Sequence, residues 1–293
     1  MSRKVHFAYK EDSWELERTV FQYGHTESHL PRVIIVAAMH GNEPSGLRAL
    51  LELKPILREA SARMKGMVCG LIGNFRALEH GSRFIDKDLN RMWKQNGNSA
   101  DCAETQEKNE LNALISDVLA GDGPRYVLDL HTTSSESAPF MSIADTRENR
   151  LFASNFDIPA IAGIERFIKG ALLEHVSNMG HVGLAFEAGQ HIAADSVDHH
   201  EDFILQSLHY AGVLSDARHA SPKEGLEYDI IFRHPIQAGD EFVMNPGYHN
   251  FSPVHKGQIL AHDRHGEIRA EKAGLLFMPL YQSRGDDGFF IVR

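Results

Sequence analysis

The chain has 293 residues, with 30 Lys and Arg against 40 Asp and Glu and a net charge of −10 when histidine is counted neutral. That length suits one large α/β domain, or a main domain with a smaller appendage. The acidic balance argues against general nucleic-acid binding, which needs a basic footprint, but leaves room for a small anionic substrate met by a local Arg cluster. No apolar run approaches the roughly 20 residues of a membrane span, and "MSRKVHFAYKEDSWELERTV" lacks the apolar centre of a secretory signal. Cys69 and Cys102 are too few for a disulfide framework, so a reducing cytoplasm is expected.

In chain order, Val33–Ala38 is expected to form a buried strand that ends on "HGNE", residues 40–43. Gly46–Glu59 follows with Leu47, Leu50, Leu51 and Leu57 at helical spacing. Gly66–Ile72 reads as a second strand and Ala103–Leu119 as a helix. Tyr126–His131 and Gly183–Glu187 are further apolar strands, and Ser196–Gly212 is a helix. Strands alternating with helices argue for a layered α/β domain whose sheet is largely parallel and covered on both faces. After about residue 215 the runs become short and rich in Gly and Pro. We therefore expect an α/β domain over 1–215 and a small all-β domain over 216–293, divided near Ser215–Gly225.

The strand ends carry the chemistry. The C-terminal edge of an α/β sheet faces the crevice where such folds bind ligands. His40 and Glu43 at such an edge can point at one ion, yet an acid is also favoured there simply because a helix begins. From this pair alone the two readings stand even. "YVLDLHTTS" breaks the tie, because a second buried run ends on His131. Two His and one Glu form a common catalytic zinc set that leaves a fourth position for water. "RFIDKDLNRMW" places Asp88, Asn90 and Arg91 together; Arg and Asn suit recognition of a carboxylate. Glu187 ends the third apolar strand and is a candidate general base. Each segment taken singly also fits an ordinary loop or strand end.

The ordered set "HGNE", "DLNR", "DLHTTS" and "FEAG" resembles the aspartoacylase/succinylglutamate desuccinylase family, within the wider zinc-carboxypeptidase fold. The matching pieces span Val33 to about Gln190, and "GYHNFSPVHKGQILA" and "LFMPLYQSRGDDGFF" are similar to that family's small β domain. The resemblance implies one zinc ion per chain on His40, Glu43 and His131. It implies Glu187 as general base and acid, Arg83 as the group that stabilises the oxyanion, and Asn90 and Arg91 as the carboxylate site. Asp88 would orient a metal-bound histidine, His40. It further implies a zinc amidohydrolase that cleaves an N-acyl amino acid or a related small amide, with a homo-oligomer left open.

One departure bears on the substrate. Aspartoacylases carry an Arg about ten residues before the general base, where this chain has Ser177, and no Arg lies between Ala171 and Phe186. Lys169 and Arg166 are out of register, so N-acetyl-aspartate is not carried over as the substrate. His175, His181 and His191 flank the Glu187 strand and are candidates to line the pocket. Arg284, in "QSRGDDG", is a candidate gate and equally part of a plain β-turn. Two rivals remain at this point: a carboxypeptidase acting on short peptides, and a non-catalytic metal- or ligand-binding module.

Overall fold

In the computed structural model residues 3–94, 102–214, 227–282 and 285–293 are described. The expected domain boundary and Arg284 lie outside these residues. The chain opens with a hairpin, β1 (Val5–Tyr9) and β2 (Asp12–Leu16), that forms its own two-stranded sheet. β3 (Thr19–Gly24) then enters the edge of the main sheet.

The apolar runs become central strands because they are buried on both faces. Every residue of β4 (Arg32–Ala37) and of β5 (Met67–Ile72) is buried. Between them runs α1 (Ser45–Ala60), and after them come the short α2 (Phe75–Glu79) and the longer α3 (Ala103–Leu119). β6 (Arg125–Thr133), β7 (Phe140–Ile143), α4 (Arg147–Ala153), β8 (Ala160–Ala162), α5 (Leu172–Asn178), β9 (Val182–Gln190) and α6 (Ser196–Tyr210) complete the first 214 residues. The remainder contributes β10 (Glu227–Pro235), β11 (Val243–Met244), β12 (Pro253–Val254), β13 (Ile259–Asp263), β14 (Gly266–Arg269), β15 (Gly274–Phe277) and β16 (Asp287–Val292).

The main sheet has the order β12-β15-β16-β10-β8-β7-β9-β6-β4-β5-β3. β5, β4, β6 and β9 are parallel neighbours, β7 lies antiparallel to β9, and β8 and β10 run parallel to β7 and β8 in turn. Antiparallel pairs finish both edges. β11, β13 and β14 form a separate antiparallel sheet. One sheet thus runs from the α/β part into residues 227–292. The expected layered α/β fold is what the structure shows; its sheet, expected to be largely parallel, is mixed, because antiparallel strands are added at both edges and β7 runs against β9, and a small antiparallel sheet accompanies it.

Side-chain alternation sorts the core. Ile35, Leu128, Leu184 and Phe186 face α1 and α6, where Leu47, Leu50, Phe203 and Ile204 cover them. Ile34, Val36, Cys69 and Val127 face the opposite side and meet α3 and α5 through Leu111, Ile115, Leu172 and Val176. The second face carries the site at its strand ends. No helix among the described residues is long and apolar enough to cross a membrane.

Candidate active site

The turn after β4 is tightly built. Ala38 has φ +54°, a left-handed conformation that costs a non-glycine residue energy and is held here by full burial. The carbonyls of Ala37 and Ala38 accept the backbone N–H groups of Gly73 and Asn74. Gly41 passes so close to α2 that a Cβ would stand 2.0 Å from the Ala77 carbonyl carbon. These constraints deliver His40 and Glu43, both buried, to the end of the sheet.

His131 arrives from β6, next to β4. His40 Nδ1 lies 2.9 Å from Glu43 Oε1, and His131 Nδ1 lies 3.0 Å from Glu43 Oε2. Ligand atoms of the three residues all lie within 4.8 Å of one another. Each imidazole is held on its far side by a carboxylate: His40 Nε2 is 3.1 Å from Asp88 Oδ1, and His131 Nε2 is 2.9 Å from Asp129 Oδ2. Carboxylates behind both rings leave both Nδ1 atoms for a cation, so these residues fit a divalent metal of the zinc type. The Thr132 backbone N–H donates to Glu43 at 3.1 Å and fixes the third candidate ligand.

The charges follow from this packing. Burial works to raise the Glu43 carboxyl, but His40 and His131 outweigh it and hold the group well below the usual carboxylate range. Burial works to lower His131, and Asp129 and Glu43 outweigh it, so the imidazole lies well above its ordinary value. Asp88, buried beside His40, Arg83 and Arg91, is likewise held well below its usual range.

Glu187 is placed by strand register. It sits opposite His131 across the β6–β9 pair, and the buried Oε2 has no hydrogen-bond partner. Burial, set against the positive charge of His131 and reinforced by Glu43, pushes its carboxyl up to about 7. Arg83 reaches over the ligands, 3.0 Å from Asp88 Oδ2 and 3.4 Å from Glu43 Oε1.

The segment carrying Arg83 and Asp88 has no regular period, yet it is firmly held. Glu104 at the start of α3 is fully buried and accepts the backbone N–H groups of Ile85, Asp86 and Lys87 at 2.7, 3.1 and 3.1 Å, together with the Asn74 amide at 3.2 Å. Glu104, Asp86 and Cys102 also come close enough together to suggest a cation site. Glu104 is saturated by these N–H donors and Asp86 accepts from the Ala103 N–H, so the cluster is a loop clamp.

The eight residues singled out from sequence — His40, Glu43, Arg83, Asp88, Asn90, Arg91, His131 and Glu187 — line one cavity of about 910 Å³ including its mouth. Asn90 is more committed than expected: its Oδ1 accepts the Leu172 N–H at 2.8 Å and its amide donates to Asp129 at 3.2 Å. Arg91 lies 3.4 Å from Asp287 Oδ2, and Arg233 holds the other oxygen of that carboxylate. Sequence reasoning missed Asp129, Glu104, Arg233 and Asp287. Only Asp129 carried a readable signal, since it stands two residues before His131 and hence on the same strand face.

Neither Ser177 nor the out-of-register cations reach the cavity. Ser177 accepts from the Asn149 amide, Arg166 is exposed and bonds Asp145, and Lys169 is exposed. His175 packs on Trp93 and His191 bonds the Thr132 hydroxyl; neither they nor His181 line the cavity.

A sheet with metal-type ligands at its strand ends defines the class, and comparison with known proteins gives the family. The family description "Succinylglutamate desuccinylase/Aspartoacylase catalytic domain" matches residues 29–203, and the chain belongs to this family. A probable aspartoacylase from Prochlorococcus marinus (strain MIT 9301) is 34% identical over 108 residues, 36% of this chain and 35% of the relative, so that match spans only about a third of its length. A succinylglutamate desuccinylase from Pseudomonas syringae pv. tomato is 24% identical over 246 residues, covering 79% of this chain and 72% of the relative. The crystal structure of succinylglutamate desuccinylase from Vibrio cholerae superposes with a TM-score of 0.76 at 17% identity, over 100% of this chain and 90% of that one, and shares the fold.

Proposed function

We propose that the protein is a zinc-dependent amidohydrolase that cleaves the amide bond of an N-acyl amino acid or a related small amide bearing a carboxylate. Glu187 carries this reading: a buried carboxylate with an unpartnered oxygen stands in register with His131, beside three converging metal-type ligands. Family membership and the Arg83 and Arg91 guanidinium groups on the cavity wall support it.

His40, Glu43 and His131 would hold one zinc ion, with Asp88 and Asp129 fixing the two rings. A zinc bound there supplies Lewis acidity, polarising a carbonyl and lowering the pKa of water to about 7. Glu187 takes a proton from the attacking water and returns it to the leaving amine, so water is added across the C–N bond. Arg83, fixed by Asp88 and Glu43, faces the carbonyl oxygen as charge develops on it. Arg91 takes the substrate carboxylate, and Asn90, its amide held between Asp129 and His131, fixes the segment beside it. Metal content of the purified chain, measured beside amine release from N-acyl amino acids, tests the reading. About one zinc per chain, lost in His131→Ala, with turnover lost in Glu187→Gln, is the expected result. Stoichiometric zinc without turnover of any amide would instead support a binding module. We also propose a cytoplasmic location, which the small number of cysteines, two in the chain, supports.

A further inference from the structure

Beyond Arg91 the cavity changes character. Its deep wall is made by Ile164, Ile168, Ala171, Leu173, Ala185 and Phe290, each at most 7% exposed and all members of one apolar cluster. Register explains the floor. Ala185 lies two residues before Glu187 on β9 and so shares its face, and Ser142 on β7 pairs directly with Ala185. The floor next to the general base is therefore a methyl group and a neutral hydroxyl.

The apolar wall is built onto the carboxylate end of the site. Leu172 donates to Asn90, the Trp93 N–H donates to the Gly170 carbonyl at 2.9 Å, and a Cβ on Gly170 would stand 2.4 Å from the Arg91 carbonyl oxygen. Ala171 and Leu173 are consequently locked beside Asn90 and Arg91. In an N-acyl amino acid the carboxylate and the side chain hang from one carbon, so a carboxylate on Arg91 leaves the side chain facing this wall. Among the described residues the Lys and Arg side chains lining the cavity are Arg83, held by Asp88, and Arg91, which is assigned to the first carboxylate, so no further one is left for a second. A second carboxylate on the substrate would meet apolar groups and the single neutral hydroxyl of Ser142 there, with no cation to offset its desolvation.

Resting on the hydrolase reading above, we infer that the substrates are N-acyl derivatives of apolar amino acids, with a leucine-, methionine- or phenylalanine-like side chain seated between Ile168, Leu173 and Ala185. The test is a panel assay of free-amine release by the zinc-loaded full chain. It uses N-acetyl-L-leucine, -methionine, -phenylalanine, -alanine, -aspartate, -glutamate and -lysine, N-succinyl-L-glutamate and N-octanoylglycine. We expect kcat/KM for the leucine, methionine or phenylalanine amides to exceed that for the aspartate and glutamate amides at least tenfold, the scale of discrimination an apolar pocket gives. Ala185→Leu fills the floor and is expected to lower kcat/KM for N-acetyl-phenylalanine at least tenfold more than for N-acetyl-alanine. A flat profile, or preference for charged side chains, overturns the apolar assignment and leaves the hydrolase standing. Preference for N-octanoylglycine puts the apolar wall on the acyl side and overturns it too. No turnover of any member by protein holding stoichiometric zinc overturns the hydrolase reading and this inference with it.

Discussion

Glu187 and Glu43 show how one residue type takes opposite electrostatic characters within one cavity. Glu43 has an imidazole against each oxygen and stays ionised, whereas Glu187 has one oxygen against nothing and is pushed up to about 7. Replacing Glu187 by Gln should therefore keep the metal and lower turnover by about 10²–10⁴-fold, the usual worth of a positioned general base; near-full activity in Glu187→Gln would sink the assignment. Asp129 has a different signature. It touches His131 from behind, so Asp129→Asn should leave the fold intact and weaken zinc binding about 10–100-fold, read by competition with a chromophoric chelator. Unchanged affinity would mean that the ring is held by packing alone. Asp129 was legible in principle, one face-repeat away from His131 in "DLHTTS". Asp287 was not, because its partners Arg91 and Arg233 lie far off in the sequence and no local pattern links them.

Among the elements, α3 holds the loop that carries Arg83 and Asp88, although none of its own residues faces the cavity. Glu104 satisfies three successive backbone N–H groups that would otherwise lack partners near the site. Hydrogen bonds to a charged group contribute about 1.5–3 kcal/mol each, and the exposed Asp86 and Lys87 can turn their N–H groups to water, so Glu104→Ala chiefly loses the Ile85 and Asn74 bonds and should cost about 3–6 kcal/mol. A urea midpoint that does not move would refute the clamp. In the same variant Asp88 loses its fixed position, so zinc affinity should fall as well. The helices and central strands were readable because their apolar periodicity is local: Ala103–Leu119 has the bounds expected from sequence, and β4, β5, β6 and β9 differ by a residue or a few at their ends. β7, β8, α4 and α5 were not seen. They are short, and β7 and β8 owe their strand character to neighbours that a window of sequence does not contain.

At the scale of the whole molecule, burial reaches groups that take no part in the chemistry. His200 on α6 is fully enclosed against Phe186 and near Gly46. Burial drives its imidazole down to about 3, with the positive charge of His131 and His199 adding to the effect and Glu43 opposing it. The unfolded chain protonates this side chain near 6.5 while the folded one does not, so between those values the unfolded state binds the extra proton. This group's contribution to stability is full above about 6.5 and is lost as pH falls toward 3, with a slope approaching about 1.4 kcal/mol per pH unit. Denaturant midpoints from pH 7 to 5 should show a shallower fall in His200→Gln than in the parent; parallel curves would mean that the site is hydrated. The pairing of β10 with both β8 and β16, which carries one sheet through the whole chain, had no local trace in the sequence, since strand partners distant in sequence are set by tertiary packing. That pairing also orders events during synthesis. His40, Glu43, His131 and Glu187 lie in the first two-thirds of the chain, while Asp287 and Phe290, which finish the cavity wall, follow Glu187 by 100 residues or more. At roughly 5–20 residues per second the ribosome needs about 5–20 s to add that interval. A nascent chain can thus gather its candidate metal ligands before the cavity has a closed side, and a ribosome stalled short of β16 would display that candidate set beside an open, apolar flank for chaperones to cover.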